Sequence, residues 1–120
     1  MFILANLKGA KIVMVKNITI NSVEELKAEI NAHEDRQLVI DFWATWCGPC
    51  RIMGPVLDEI DTENDNIDVI KIDVDENQEI SQALGIQSIP TMLFFQKGVN
   101  NLAPVVGAVP KQRLLEHINS

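Results

Sequence analysis

The sequence is short of cysteine, histidine, basic charge and long apolar runs, and each shortage closes off a class of function. Its 120 residues hold two cysteines and two histidines. Two cysteines cannot build a disulfide framework, and His33 and His117, on separate predicted helix ends, do not complete a four-ligand zinc site with them. The residue after the second cysteine is Arg51, where covalent haem attachment requires histidine. Ten Lys and Arg against seventeen Asp and Glu give a net charge of -7. That balance argues against general binding to nucleic acid or to an anionic membrane, because phosphate contacts need cations. No stretch approaches the roughly 20 apolar residues of a membrane span. The apolar start Phe2-Ile3-Leu4 is broken too soon for an export signal, with Lys8 and Lys11 on its wrong side. Cytoplasmic location is the expectation.

What remains is the profile of a folded acidic domain: 47% hydrophobic residues, 22% charged, five Pro and six Gly. A chain of this length buries about two-thirds of its unfolded surface and makes one domain. Ile12–Val15 and Ile18–Ile20 read as short β-branched strands. Ser22-Val-Glu-Glu25 is a capping-box pattern, with Val23, Leu26 and Ile30 at helical spacing behind it. Leu38–Trp43 is almost continuously apolar, as a strand covered on both faces should be. A helix carrying Met53, Val56, Leu57 and Ile60 follows the cysteines, with Pro55 as a kink inside it.

Val69–Val74 alternates as a strand, and Ile80, Ala83 and Leu84 mark a short helix that Gly85 stops. Thr91–Phe95 and Leu102–Val106 make a hairpin about the Lys97-Gly98 turn, with Pro104 confining the second strand to an edge or a bulge. Pro110 suits the start of a last helix bearing Leu114, Leu115 and Ile118. The order β-α-β-α-β-α-β-β-α predicts an α/β fold, a central mixed sheet of about five strands with helices on both faces.

The chemistry concentrates in Trp46-Cys47-Gly48-Pro49-Cys50, at the junction between a predicted strand and a predicted helix. Cys47 falls just before the helix, where free backbone N–H groups and the dipole stabilise a thiolate, the form that attacks a disulfide. Cys50 lies one turn further in and is expected to be the more buried. It would wait as a thiol until a mixed disulfide forms, then attack Cys47 and release the reduced partner. Gly48 permits the tight turn and Pro49 starts the helix.

Asp41-Phe-Trp-Ala-Thr-Trp-Cys-Gly-Pro-Cys50 closely resembles the active-site segment of the thioredoxin family. The resemblance continues through Pro55, Lys71, Gly85-Ile-Gln-Ser-Ile-Pro-Thr91 and Val106-Gly107-Ala108, and covers roughly residues 14–120. It implies the thioredoxin fold and protein-disulfide reduction through Cys47 and Cys50. By this resemblance Asp41 assists proton transfer to and from Cys50, with Lys71 as its neighbour, and these four are the catalytic residues. Burial in an apolar strand independently predicts a raised pKa for Asp41.

The resemblance also implies a cis bond before Pro90, placing the Ile89 backbone beside Cys47. Trp46, Gly48, Pro49, Ile89, Pro90, Val106 and Gly107 would then form a shallow substrate surface. Trp43 is expected to pack beneath the loop. Arg51 reads equally as a charge for the thiolate or acidic partners and as a solvated helix residue.

The partners implied are disulfide-containing proteins and a thioredoxin reductase. The domain carries no G-x-G-x-x-G, so NADPH and FAD belong on that reductase, and neither a bound cofactor nor a metal is expected here. Two other readings stay open: an oxidase or isomerase of an oxidising compartment, and a docking subunit whose redox chemistry is incidental. Residues 58–79 contain ten Asp or Glu and one Lys, read as a solvated acidic face. Residues 1–13 lack a counterpart in compact members of the family. They are expected to be an extension, from a misassigned start codon or from cloning, ahead of a domain at 14–120. A monomer is expected, with Phe2, Ile3 and Leu4 as a route to dimers.

Overall fold

In the computed structural model, residues 22–120 and Ile20 are described in full, together with the backbone of three two-residue strands: β1 (Asn6–Leu7), β2 (Ala10–Lys11) and β3 (Lys16–Asn17). β1 and β2 form a separate antiparallel ladder. The remainder of the segment expected as an extension, the strand expected at Ile12–Val15, and most of that at Ile18–Ile20 lie outside the described residues.

From residue 22 the elements are α1 (Val23–Ala32), β4 (Gln37–Trp43), α2 (Gly48–Glu63), β5 (Ile67–Asp73), α3 (Gln78–Ala83), β6 (Thr91–Gln96), β7 (Val99–Val106) and α4 (Lys111–Ile118). The sheet has five strands in the order β3-β5-β4-β6-β7. β3, β4 and β5 run parallel, while β6 is antiparallel to β4 and β7 antiparallel to β6.

Local chemistry sets the boundaries. Ser22 Oγ accepts the Glu25 N–H at 3.1 Å and caps α1, with Glu24 and Glu25 in the first turn favourable to its dipole. Lys97 and Gly98, at φ 55° and 78°, form the two-residue loop between paired Gln96 and Val99. Positive φ at both positions gives a turn whose twist matches its strands. Pro104 lies where Met92 pairs with Val105 but Phe94 with Leu102. The edge strand therefore bulges at the residue that has no N–H to donate.

β4 is central and six of its seven residues are buried. Its side chains alternate between two cores. Leu38, Ile40 and Phe42 pack with Leu26 and Ile30 of α1 and Ile80 of α3. Val39 packs with Met53, Leu57 and Ile60 of α2 and Leu114 and Ile118 of α4. Asp41 shares the parity of Val39 and so points toward α2. The loops after β4 and β5 leave the carboxyl ends of parallel strands, where open α/β sheets place their ligands.

At the opposite end of the sheet, His33 is the C-cap of α1, its backbone N–H donating to the Ile30 carbonyl at 3.2 Å. Its ring places Nδ1 2.8 Å from Asp68 Oδ2 and Nε2 3.2 Å from Glu29 Oε1. Arg36 Nη1 also reaches Asp68, at 3.3 Å. The hydrogen bond to Asp68, reinforced by Glu29 and opposed by burial, raises the His33 pKa above 6.5. Its stabilising effect is fully present below pH 6.5 and is lost as pH rises through the folded pKa. His33→Gln is expected to lower unfolding stability by ~1–2 kcal/mol at pH 6, and by progressively less above the folded pKa, as measured by urea unfolding across that range.

Candidate active site

β4 ends at Trp43, the chain turns through Ala44, whose carbonyl accepts the Cys47 N–H at 3.2 Å, and α2 begins. Cys47 is the N-cap of α2, and its Sγ accepts the Cys50 backbone N–H at 3.2 Å. Helix start and donor both stabilise negative charge on that sulfur. Cys47 and Cys50 are joined as a disulfide, their Cα atoms 5.3 Å apart.

Here the structure corrects one expectation. Cys50 is not the more buried partner, because the exposures are 4% for Cys47 and 5% for Cys50. The closed bond ties Cys47 to Cys50 among Ala44, Trp43, Val74 and Ile89. The Ile89 carbonyl oxygen lies 3.8 Å from Cys47 Sγ.

Behind the disulfide is a cavity of about 420 Å³ lined by Asp41, Cys50, Gly54, Asp58 and Lys71, with Trp43 and Arg51 at its sides. Asp41 is 1% exposed, and its Oδ1 has no hydrogen-bond partner. Burial pushes the carboxyl up to about 7, the nearby Lys71 cation opposing and the Asp58 charge adding to the effect. Asp41 and Lys71 are register partners on β4 and β5, but Lys71 Nζ bonds Asp58 Oδ1 at 3.1 Å.

The sequence reading left Asp58 in a solvated strip. The signal that finds it is the helical spacing Cys50, Gly54, Asp58, which puts all three on one stripe of α2. Other members of the strip are structural. Asp61 Oδ2 accepts the Val69 N–H, Asp68 holds His33 and Arg36, and Asp73 Oδ1 accepts the Asp75 N–H.

On the outer side, Trp46 is 66% exposed and donates its indole N–H to Asp75 Oδ2 at 2.7 Å, a partner the sequence reading also missed. The Ile89–Pro90 bond is cis. Val106 pairs with Thr91, and the Gly107 N–H donates to the Pro90 carbonyl at 2.8 Å, which brings these four residues together. Val106 is 58% exposed, Ile89 half-buried and Pro90 buried, while Gly48 and Pro49 are exposed beside the sulfurs. Arg51 Nη2 donates to the Thr45 carbonyl at 3.0 Å, pinning the loop. Trp43 packs under that loop, as expected.

Among the described residues, no group of three or more His, Cys, Asp or Glu could hold a metal ion, and no helix is long and apolar enough to cross a membrane. His117 Nε2 lies 2.8 Å from the Ala103 carbonyl and its ring packs edge-on against Phe94.

A closed cysteine pair at a helix start, with a thiolate-stabilising N–H and a buried carboxyl behind it, defines a thiol–disulfide oxidoreductase. The thioredoxin family model matches residues 17–120. A thioredoxin of Listeria monocytogenes is 42% identical over 107 residues, covering 88% of this chain and 97% of that protein. A thioredoxin of Bacillus subtilis is 47% identical over 83 residues, covering 68% and 79% respectively. The crystal structure of Fasciola hepatica thioredoxin superposes with a TM-score of 0.75 at 31% identity, covering 88% of this chain and 97% of that one. The chain belongs to the thioredoxin family. It is a protein-disulfide oxidoreductase that works by dithiol–disulfide exchange at Cys47 and Cys50.

Proposed function

We propose that this protein is a cytoplasmic disulfide reductase in which Cys47 attacks, Cys50 resolves, and Asp41 carries the proton between them and water. The observation that carries the reading is the Cys50 N–H donating to Cys47 Sγ at the start of α2. In the dithiol form this N–H stabilises a Cys47 thiolate, which attacks a substrate disulfide, forms a Cys47–substrate bond and expels one substrate thiolate. Cys50 then passes its proton to the Asp41 carboxylate, and its sulfur attacks Cys47 Sγ. The Cys47–Cys50 bond closes and the second substrate sulfur leaves. Two electrons have moved from the cysteine pair to the substrate. The two expelled thiolates take up protons from water, one of them replaced when Asp41 releases the proton it took from Cys50.

Lys71 tunes the charge at Asp41. An extended substrate segment pairs with the Ile89 backbone, over a surface made by Trp46, Gly48, Pro49, Ile89, Pro90, Val106 and Gly107. A separate thioredoxin reductase, carrying FAD and using NADPH, returns the pair to the dithiol. Residues 14–120 form the catalytic domain. Residues 1–13 are an appendage whose deletion leaves both turnover and a monomeric sedimentation profile unchanged.

Trp46→Ala is expected to raise KM for a protein disulfide by roughly tenfold, since an exposed aromatic anchor contributes on the order of 1–2 kcal/mol. Unfolding stability should stay within about 0.5 kcal/mol, and a small disulfide that touches little surface should be reduced at the parent rate. The deciding experiment equilibrates the cysteine pair with defined thiol–disulfide buffers. A potential near roughly −270 mV supports the reductase, whereas a value above about −200 mV overturns it in favour of an oxidase or isomerase.

A further inference from the structure

We infer that Asp58 is a positioning residue for the exchange reaction: by holding the Lys71 ammonium on α2, it keeps that cation off the Asp41 carboxyl and leaves Asp41 free to gain and lose a proton. The inference rests on the reading of Asp41 as the proton carrier. A lysine beside a buried carboxylate ordinarily closes onto it, since a direct ion pair in a low-dielectric pocket is strong and lowers the carboxyl pKa. Asp41 and Lys71 are register partners on adjacent strands and share one cavity. Yet Lys71 Nζ lies 3.1 Å from Asp58 Oδ1, and Asp41 Oδ1 is left without a hydrogen bond.

Three features hold this arrangement. Asp58 and Cys50 stand two turns apart on the same stripe of α2, so the carboxylate sits at the mouth of the cavity that Cys50 closes. Its side chain is 55% exposed, against 15% for Lys71, so the ammonium is drawn outward from the protein interior. The residue between them on the stripe is Gly54, and a Cβ there would sit 3.8 Å from Lys71 Nζ. A larger side chain would crowd the path the lysine takes.

The ionisable groups around the cavity with Asp41 are Lys71 from β5 and Cys50, Arg51 and Asp58 from α2. Arg51 is occupied by the Thr45 carbonyl, which leaves Lys71 as the cation able to pair with Asp41 and Asp58 as the group that prevents it. The raised pKa of Asp41, lowered by Lys71 and raised by Asp58, is consistent with this competition.

The test uses the full chain with the disulfide closed, so that neither cysteine titrates. The Asp41 side-chain carboxyl is followed by carbon NMR across pH in the parent, Asp58→Asn, Lys71→Met and the double variant. Asp58→Asn is expected to lower the Asp41 midpoint by about one pH unit or more as Lys71 closes onto it. The same substitution in the Lys71→Met background should give less than half that shift. An unmoved midpoint in Asp58→Asn overturns the proposal. So does an equal shift with and without Lys71, which would mean that Asp58 acts by its own charge alone.

The pH profile of substrate reduction by Asp41→Asn separates the two readings. A profile identical to the parent's removes Asp41 as proton carrier, and the proposal with it, even if the NMR midpoint moves. A changed profile together with the Lys71-dependent shift supports both.

Discussion

Cys47→Ser is expected to abolish protein-disulfide reduction, a loss of at least about a thousandfold of the kind seen when a nucleophile is removed. Cys50→Ser should stop turnover in a different way. The Cys47 thiolate still forms at the start of α2, where the backbone N–H of residue 50 is retained, and it still attacks. Without a resolving sulfur the mixed disulfide persists. In the absence of small thiols, a disulfide-bonded protein substrate should accumulate as a one-to-one adduct with Cys50→Ser, visible by intact mass and released by dithiothreitol. No adduct should form with Cys47→Ser. Continued turnover by Cys50→Ser at the parent rate would overturn the assignment of roles, and adduct formation through Cys50 would reverse it.

Asp41→Asn should change both rate and stability, and the stability change has a definite pH window. Burial raises the Asp41 pKa from 3.8 to about 7. Below 3.8 the folded and unfolded chains both hold the proton. Between there and about 7, the unfolded chain has released it while the folded chain keeps it, so stability falls as pH rises, by about 1.4 kcal/mol per unit. Above the folded pKa both states are ionised and the loss is complete, about 4 kcal/mol.

Asp41→Asn removes that loss. Denaturant unfolding should therefore give parent and variant similar responses near pH 4, with the variant more stable by several kcal/mol at pH 8. Resolution of the mixed disulfide should slow by roughly a hundredfold at neutral pH. The deficit should shrink as pH rises and hydroxide takes over removal of the Cys50 proton. Equal pH dependence of stability in the two proteins would show that Asp41 ionises freely where it sits.

The sequence makes the main chain of this fold legible because its signals are local. The apolar run at Leu38–Trp43 belongs to a strand buried on both faces, and Ser22 caps the helix that its spacing to Glu25 predicts. Pro104 and Lys97-Gly98 lie at the bulge and the turn that their backbone limits require. The cysteine pair is legible for the same reason: loop, spacing and helix start are contiguous. What was hidden depends on distance along the chain. Asp58 and Asp75 looked like members of a solvated acidic strip. Their roles come from Lys71, thirteen residues away from Asp58, and from Trp46, twenty-nine residues away from Asp75. The near-equal burial of Cys47 and Cys50 was hidden too, because it belongs to the closed disulfide, a chemical state that no pattern of residues records.

The alternation along β4 divides the molecule into two halves with different freedoms. Asp41 and Val39 face the half that holds the redox pair, whereas Leu38, Ile40 and Phe42 face the half built from α1 and α3. Val74 and Ile89 pack against that second half and against the disulfide alike. Volume-conserving substitutions can therefore accumulate without touching the chemistry only where β4 stands between them and the sulfurs as a hydrogen-bonded wall, at positions such as Leu26 and Ile30 of α1. Divergence among descendants of such a chain, and redesign by hand, both have their room on the far side of that wall.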